Sequence, residues 1–116
     1  MLETLKLDAM PDLIYFSIQD PGIILDPAIH LTVGDNRGRF ALRGVIYHGE
    51  NHYTSRIVKE TGTIWYHNGI ETGGKCEYDG VLHALPPRAI NTCRASDLIR
   101  SVVGVIYAKL DCGNAP

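Results

Sequence analysis

Between Phe40 and Val58 the chain carries two apolar runs rich in β-branched and aromatic residues, a pattern of high strand propensity. A period of two places successive side chains on opposite faces of an extended strand. Gly49-Glu50-Asn51 interrupts the pattern with a short polar segment opened by glycine, so Phe40 to His48 and His52 to Val58 read as the arms of a β-hairpin. A second polar break at Lys59-Glu60-Thr61-Gly62 leads into a third strand, Gly62 to Ile70, and an antiparallel meander results.

The flanks are less regular. Leu2, Leu5 and Met10 have weak helical spacing that Pro11 would end. Pro11 to Ile18 is rich in strand formers, and Asp20-Pro21-Gly22 reads as a turn. Ile23 to Val33 alternates around Pro27, which suits an edge strand or a break between two short strands. Gly34 to Gly38 reads as a loop. After Asn68, glycines at 69, 73, 74 and 80 predict a loop over Gly69 to Gly80, and the short apolar piece Leu82 to Leu85 is stopped by Pro86-Pro87. Two readings stay open beyond it: Ser96 as the cap of a helix, or a closing strand over Val102 to Lys109, which the β-branched residues there favour. Asp111 to Pro116 reads as a tail. The expected fold class is α+β, mostly an antiparallel β meander with little helix, in a single domain over residues 1–116 with its core at about 11–110.

At 116 residues, with 45% hydrophobic and 21% charged side chains, the chain has the composition of one globular domain with a modest core. A formal net charge of -2 without a basic cluster gives no footprint for nucleic acid. No apolar run approaches the roughly 18 residues of a membrane span, and the start Met1-Leu2-Glu3-Thr4-Leu5-Lys6 lacks the regions of a secretory signal. The expectation is an intracellular protein, cytoplasmic or nuclear. Cys76, Cys93 and Cys112 form no C-x-x-C pair, so neither a disulfide framework nor a zinc ribbon is suggested, and no cofactor or metal is implied.

Leu42 to Val58, followed by Trp65-Tyr66-His67-Asn68, resembles the histidine box of the ubiquitin-specific proteases, the papain-like ubiquitin carboxyl-terminal hydrolases. In that family a strand pattern ending in Val-Ile-x-His-x-Gly is followed by a turn, then Gly-His-Tyr, and later Trp-Tyr shortly before an Asp or Asn. The resemblance implies that His52 is the catalytic base and Asn68 the group that orients it, on a partial papain-like sheet. It further implies a ubiquitin or ubiquitin-like tail as partner. Asn51 stands where the family usually has glycine, and the spacing from Trp65 to Asn68 is one residue shorter than the common form. The family's nucleophilic cysteine lies far upstream of the histidine in an Asn-x-Cys context, yet nothing before Phe40 is a cysteine. The chain therefore resembles the C-terminal part of such a domain, with the missing N-terminal part as a further partner. Asn91-Thr92-Cys93 is similar to the family's cysteine box but follows the histidine, so its order is inverted. Cys76 stands beside Glu77 and Asp79, which disfavour a thiolate.

In a Cys/His/Asn site the imidazole takes the thiol proton while the amide fixes the ring's tautomer and direction; an amide offers the imidazolium no full negative charge. Strand parity bears on the implied pair. With a four-residue turn at Lys59 to Gly62, Val58 pairs with Thr63 and alternation puts His67 on the face of His52. A one-residue bulge brings Asn68 round instead. His48 and His67 read as ordinary sheet residues, and Tyr53 and Trp65 as sheet packing. Two functional expectations follow from the resemblance: a deubiquitinase-like fragment holding the His/Asn half of a thiol protease site and inactive alone, or a non-catalytic ubiquitin-binding or assembly module.

Overall fold

A computed structural model of the chain describes residues 10–20, 22–68, 76–86, 88–94 and 97–110, and for those between 92 and 99 the backbone alone. The weak helical spacing before Met10, the end of the third strand at Gly69-Ile70, the first part of the Gly69 to Gly80 loop, the Ser96 cap and the tail lie outside these residues. Among the described residues eight antiparallel strands form one open sheet: β1 (Leu13–Ser17), β2 (Ala28–Val33), β3 (Asn36–Gly49), β4 (His52–Val58), β5 (Thr63–His67), β6 (Glu77–Val81), β7 (Thr92–Arg94) and β8 (Asp97–Lys109). The order is β1-β8-β3-β4-β5-β6, with β2 beside the first half of β3 and β7 beside the start of β8. Helix among the described residues is confined to two 3₁₀ turns, Leu82–Ala84 and Ala89–Asn91.

β3 is the spine. Its first half pairs with β2, its second half with β4, and most of its other edge with β8. The residues expected to form a loop before it contribute only two, Gly34 and Asp35, because Asn36 already pairs with Val33. Gly34 takes a φ of 60°, the left-handed first position of a tight hairpin turn. Simple alternation along β3 also fails at one place. The register to β8 shifts between Leu42 and Gly44, so Leu42 and Val45 both face inward. That bulge carries Tyr47 into the core and turns His48 outward.

The inner face buries Phe40, Leu42, Val45, Tyr47, Tyr66, Val102, Val105 and Tyr107, and Ile90 packs onto them. Two chain segments cover this face where a second layer would otherwise be needed. Residues 23–26 are held by Tyr107, whose hydroxyl donates to the Asp26 carbonyl, and by Asn91, whose amide donates to the Ile23 carbonyl. The segment around residue 90 is held by Tyr47, whose hydroxyl donates to the Ile90 carbonyl at 2.6 Å. Each of these bonds ties a loop to a tyrosine or asparagine beneath it, so the backbone groups it covers keep partners away from water.

Two further sequence expectations are corrected. Residues 77–80, expected as loop, belong with Val81 to β6, because Tyr78 and Glu77 pair with Trp65 and Tyr66 while Gly80, at φ 105°, absorbs a bulge that simple alternation does not anticipate. The closing strand begins well before Val102, at Asp97, so the helix reading after Ser96 gives way to a strand of 13 residues; pairing with β3 supplies hydrogen bonds along most of it.

The β4–β5 connection decides what β5 presents. Lys59 N–H donates to Thr63 O and Gly62 N–H donates to Lys59 O, which makes Lys59 and Thr63 the closing pair of a three-residue loop. Gly62 takes a φ of 89° there, the position that such a loop reserves for glycine. Val58 therefore faces Ile64, and every later pairing is one residue on from the four-residue arrangement.

Gly62→Ala is expected to lower stability by about 1 to 2 kcal/mol through backbone strain; the added methyl would meet nothing closer than 3.8 Å, so sterics contribute little. Urea unfolding of the variant against the parent measures it. A second expectation concerns alkaline pH. Burial, and then the Asp26 carboxylate, raise the Tyr107 phenol above its ordinary value. A group raised on folding contributes stability that is complete below its unfolded pKa of about 10 and is lost as pH rises through the folded value. Stability measured across that window should therefore fall, and should fall less steeply in Tyr107→Phe.

Candidate functional site

The β3–β4 hairpin turns through Glu50 and Asn51, with φ of 50° and 61°, and closes on the pair Gly49 and His52. Two successive left-handed residues define the mirror-image turn whose twist matches the strands. Asn51 thus occupies a position that favours glycine, and asparagine is the side chain that tolerates it best. Glu50 has no such tolerance and is strained. His52 leaves the turn as the first residue of β4, half-buried on the inner face.

The shifted β4–β5 register puts Asn68 on that same face. His52 Nε2 and Asn68 Oδ1 stand 2.7 Å apart, and Asn68 is 2% exposed. Asn68 Nδ2 donates to the Tyr66 hydroxyl at 3.2 Å, which orients the amide with its oxygen toward the imidazole. Because that oxygen accepts, Nε2 carries the proton and donates, leaving Nδ1 with its lone pair. No described residue bonds Nδ1. An imidazole fixed in this tautomer can take a proton from a thiol, hydroxyl or water brought to Nδ1.

His67, the alternative that simple parity favours, pairs with Ser55 and points to the outer face. His48 lies outward as well, its ring 4.2 Å from that of Tyr53. Tyr53 is 63% exposed, so its expected role in sheet packing reduces to this contact with His48. Trp65 sits edge-on to Tyr78 at 5.8 Å, also on the outer face.

The thiols are distributed unequally. Cys76 is exposed and lines a shallow outer depression with Ile57, Lys59 and Trp65, so the sheet separates it from His52. Cys93 lies in β7, which pairs with β8 and also passes within 8 Å of β4, Cα to Cα. The fold therefore brings the backbone of the Asn91-Thr92-Cys93 segment near the strand that carries His52, although the two are remote in sequence.

Below the histidine the inner face of β4 continues with polar residues, Thr54 and Arg56, both buried. Arg56 Nε donates to Asp79 Oδ2 at 2.8 Å and Arg56 Nη1 donates to the Tyr47 hydroxyl at 3.3 Å. The guanidinium carbon also stands 5.6 Å from the Tyr47 ring centre. Burial opposes the Arg56 charge, but Tyr47 and Asp79 outweigh it, and its pKa is held above the ordinary value. This network clamps β6 across β5 and braces the strand that presents Asn68. Sequence reasoning missed both Tyr66 and Arg56. The signal was parity: Tyr66 lies two residues before Asn68, and Arg56 four after His52, all on one face.

An apolar cleft of about 370 Å³ opens between residues 24–27 and 82–90, with Gly62 on its wall. It lies at the far end of β4 from His52, and neither His52 nor Asn68 lines it. No protein-family model matches the chain, and no curated protein or solved structure is significantly similar to it.

Asn68→Ala tests the His52 contact directly. Loss of the amide acceptor releases the imidazole to exchange between its two tautomers, so the ring-nitrogen NMR shifts should move from those of a single Nε2-protonated form toward a mixture. Unchanged ring-nitrogen shifts would show that the two side chains do not meet in solution.

Proposed function

We propose that this chain carries the histidine and asparagine half of a cysteine-type hydrolase site of the ubiquitin-specific protease kind, on a partial papain-like sheet, acting on or binding the C-terminal tail of ubiquitin or a ubiquitin-like protein. The observation that supports the reading is the His52–Asn68 hydrogen bond, with Asn68 buried and braced by Tyr66. A half-exposed histidine locked through Nε2 by a buried amide has a defined free nitrogen, and such an arrangement suits proton transfer better than packing.

The chemistry needs a thiol. Proton transfer from a cysteine to Nδ1 would give a thiolate that attacks the carbonyl carbon of the scissile amide, and the imidazolium would return the proton to the departing amine. Cys76 is on the wrong face for this step. A nucleophile supplied by another segment completes the site in the first reading. In the second, the chain binds the tail without turnover, and the placement of Cys76 away from His52 favours it for the isolated chain.

The test is incubation of the chain with ubiquitin bearing a thiol-reactive C-terminus, read by intact mass, together with NMR of labelled ubiquitin on addition of the chain. Perturbation of the ubiquitin tail that His52→Ala weakens supports the proposal. An adduct lost in Cys93→Ala and slowed at least about 100-fold in His52→Ala would make the site complete within this chain. Tail binding without an adduct would assign the non-catalytic role. Neither binding nor adduct would overturn the reading.

A further inference from the structure

The outer face of the sheet is a second surface, independent of the His52 side. One cross-strand row runs through it from edge to edge: Tyr15 faces Ile106, Ile106 faces Gly44, Gly44 faces Ile57, Ile57 faces Trp65 and Trp65 faces Tyr78. With strands about 4.8 Å apart, the row is roughly 24 Å long. Its ends are aromatic and open to water, with Tyr15 55% and Tyr78 58% exposed, and Tyr53, 63% exposed, stands on the same face four residues along β4 from Ile57, about 13 Å from the row. Tyr15 leans across Gly104, where any side chain would collide with its ring. At the centre Gly44 contributes no side chain, and the row dips between Ile57 and Ile106.

Charge is segregated on the same face. The chain is slightly acidic as a whole. Yet the strand register turns Arg37, Arg39, His30, His48 and His67 outward, and Arg43 borders the central dip. Among the strand positions whose side chains are described, no outward-facing one carries a carboxylate. Acids lie elsewhere: Asp35, Glu50 and Glu60 are in turns, and Asp79 is on the inner face with Arg56. The cations are dispersed in sequence, and the sheet gathers them.

We infer that this outer face binds single-stranded nucleic acid, its bases stacking on the exposed aromatic row and its phosphates meeting the arginines. Positive charge alone would suit any polyanion. Rings held on rigid strands and exposed by more than half are what discriminate in favour of nucleobases, since each base offers a π-face while an acidic peptide does not. The chain has a single tryptophan, Trp65, and it lies in the row, so the protein contains its own reporter.

The experiment is titration of the chain with a fluorescein-labelled oligouridylate of about 12 nucleotides, read by anisotropy, with Trp65 emission followed in a parallel unlabelled titration. Binding is expected to quench Trp65, to weaken steeply with added salt, and to weaken about tenfold in Tyr78→Ala and in Tyr53→Ala, each an exposed substitution whose fold is checked by circular dichroism. Arg39→Gln should reduce the salt dependence by about one phosphate contact. Absence of binding at low salt would overturn the inference. So would polyglutamate binding as tightly as the oligonucleotide, or affinity indifferent to both tyrosine substitutions, since either would point to an acidic protein partner. Tighter binding of a duplex of the same length would overturn it as well.

Discussion

The parity of β5 relative to β4 is the constraint on which the inner face depends. A three-residue loop closed by Lys59 and Thr63, with Gly62 in the left-handed region, fixes that parity. One residue fewer in the loop would exchange the faces of every β5 side chain. Ile64, Tyr66 and Asn68 would then turn outward, exposing two of the most buried side chains of the protein and removing the amide from His52. Core packing and site geometry are thus selected together, because the same alternation that buries Ile64 and Tyr66 delivers Asn68.

The inner face is unusually polar for a covered sheet, and its polarity is graded along β4. His52 at the hairpin end is half-buried and holds Asn68, Arg56 further down is closed off and paired with Asp79 and Tyr47, and Val58 at the far end is apolar. A buried ion pair adds little net stability over an apolar replacement, but loss of one partner is costly. Its effect here is geometric: it ties β6 to β4 over the top of β5, the strand that leads to Asn68. The tyrosine hydroxyls extend the same logic outward, since Tyr47 and Tyr107 fasten the segments that cover the face.

The two faces divide the protein's chemistry. The His52–Asn68 pair and the covered core are on one side, while exposed aromatic rings and outward strand arginines are on the other. A single sheet can carry both because alternate residues of each strand belong to different surfaces. Tyr53, next to His52 in sequence, belongs to the surface His52 does not.

The sequence by itself determined the meander of residues 40–67, because runs of β-branched and aromatic residues broken by glycine-containing turns leave strands little alternative, and it singled out His52 and Asn68 through their resemblance to a histidine box. It left their meeting open, since that rests on whether Lys59 belongs to the loop or pairs with Thr63, a choice of backbone dihedrals that composition does not encode. The strand at 77–81 was illegible because its glycine-rich surroundings mask it and Trp65 and Tyr66 supply its pairing from elsewhere. The bulge at Arg43-Gly44, the approach of β7 to β4 and the gathering of dispersed arginines on one face were decided by tertiary structure alone. Each arises from contacts between residues distant in the chain, whose register is set by the packing of the whole sheet.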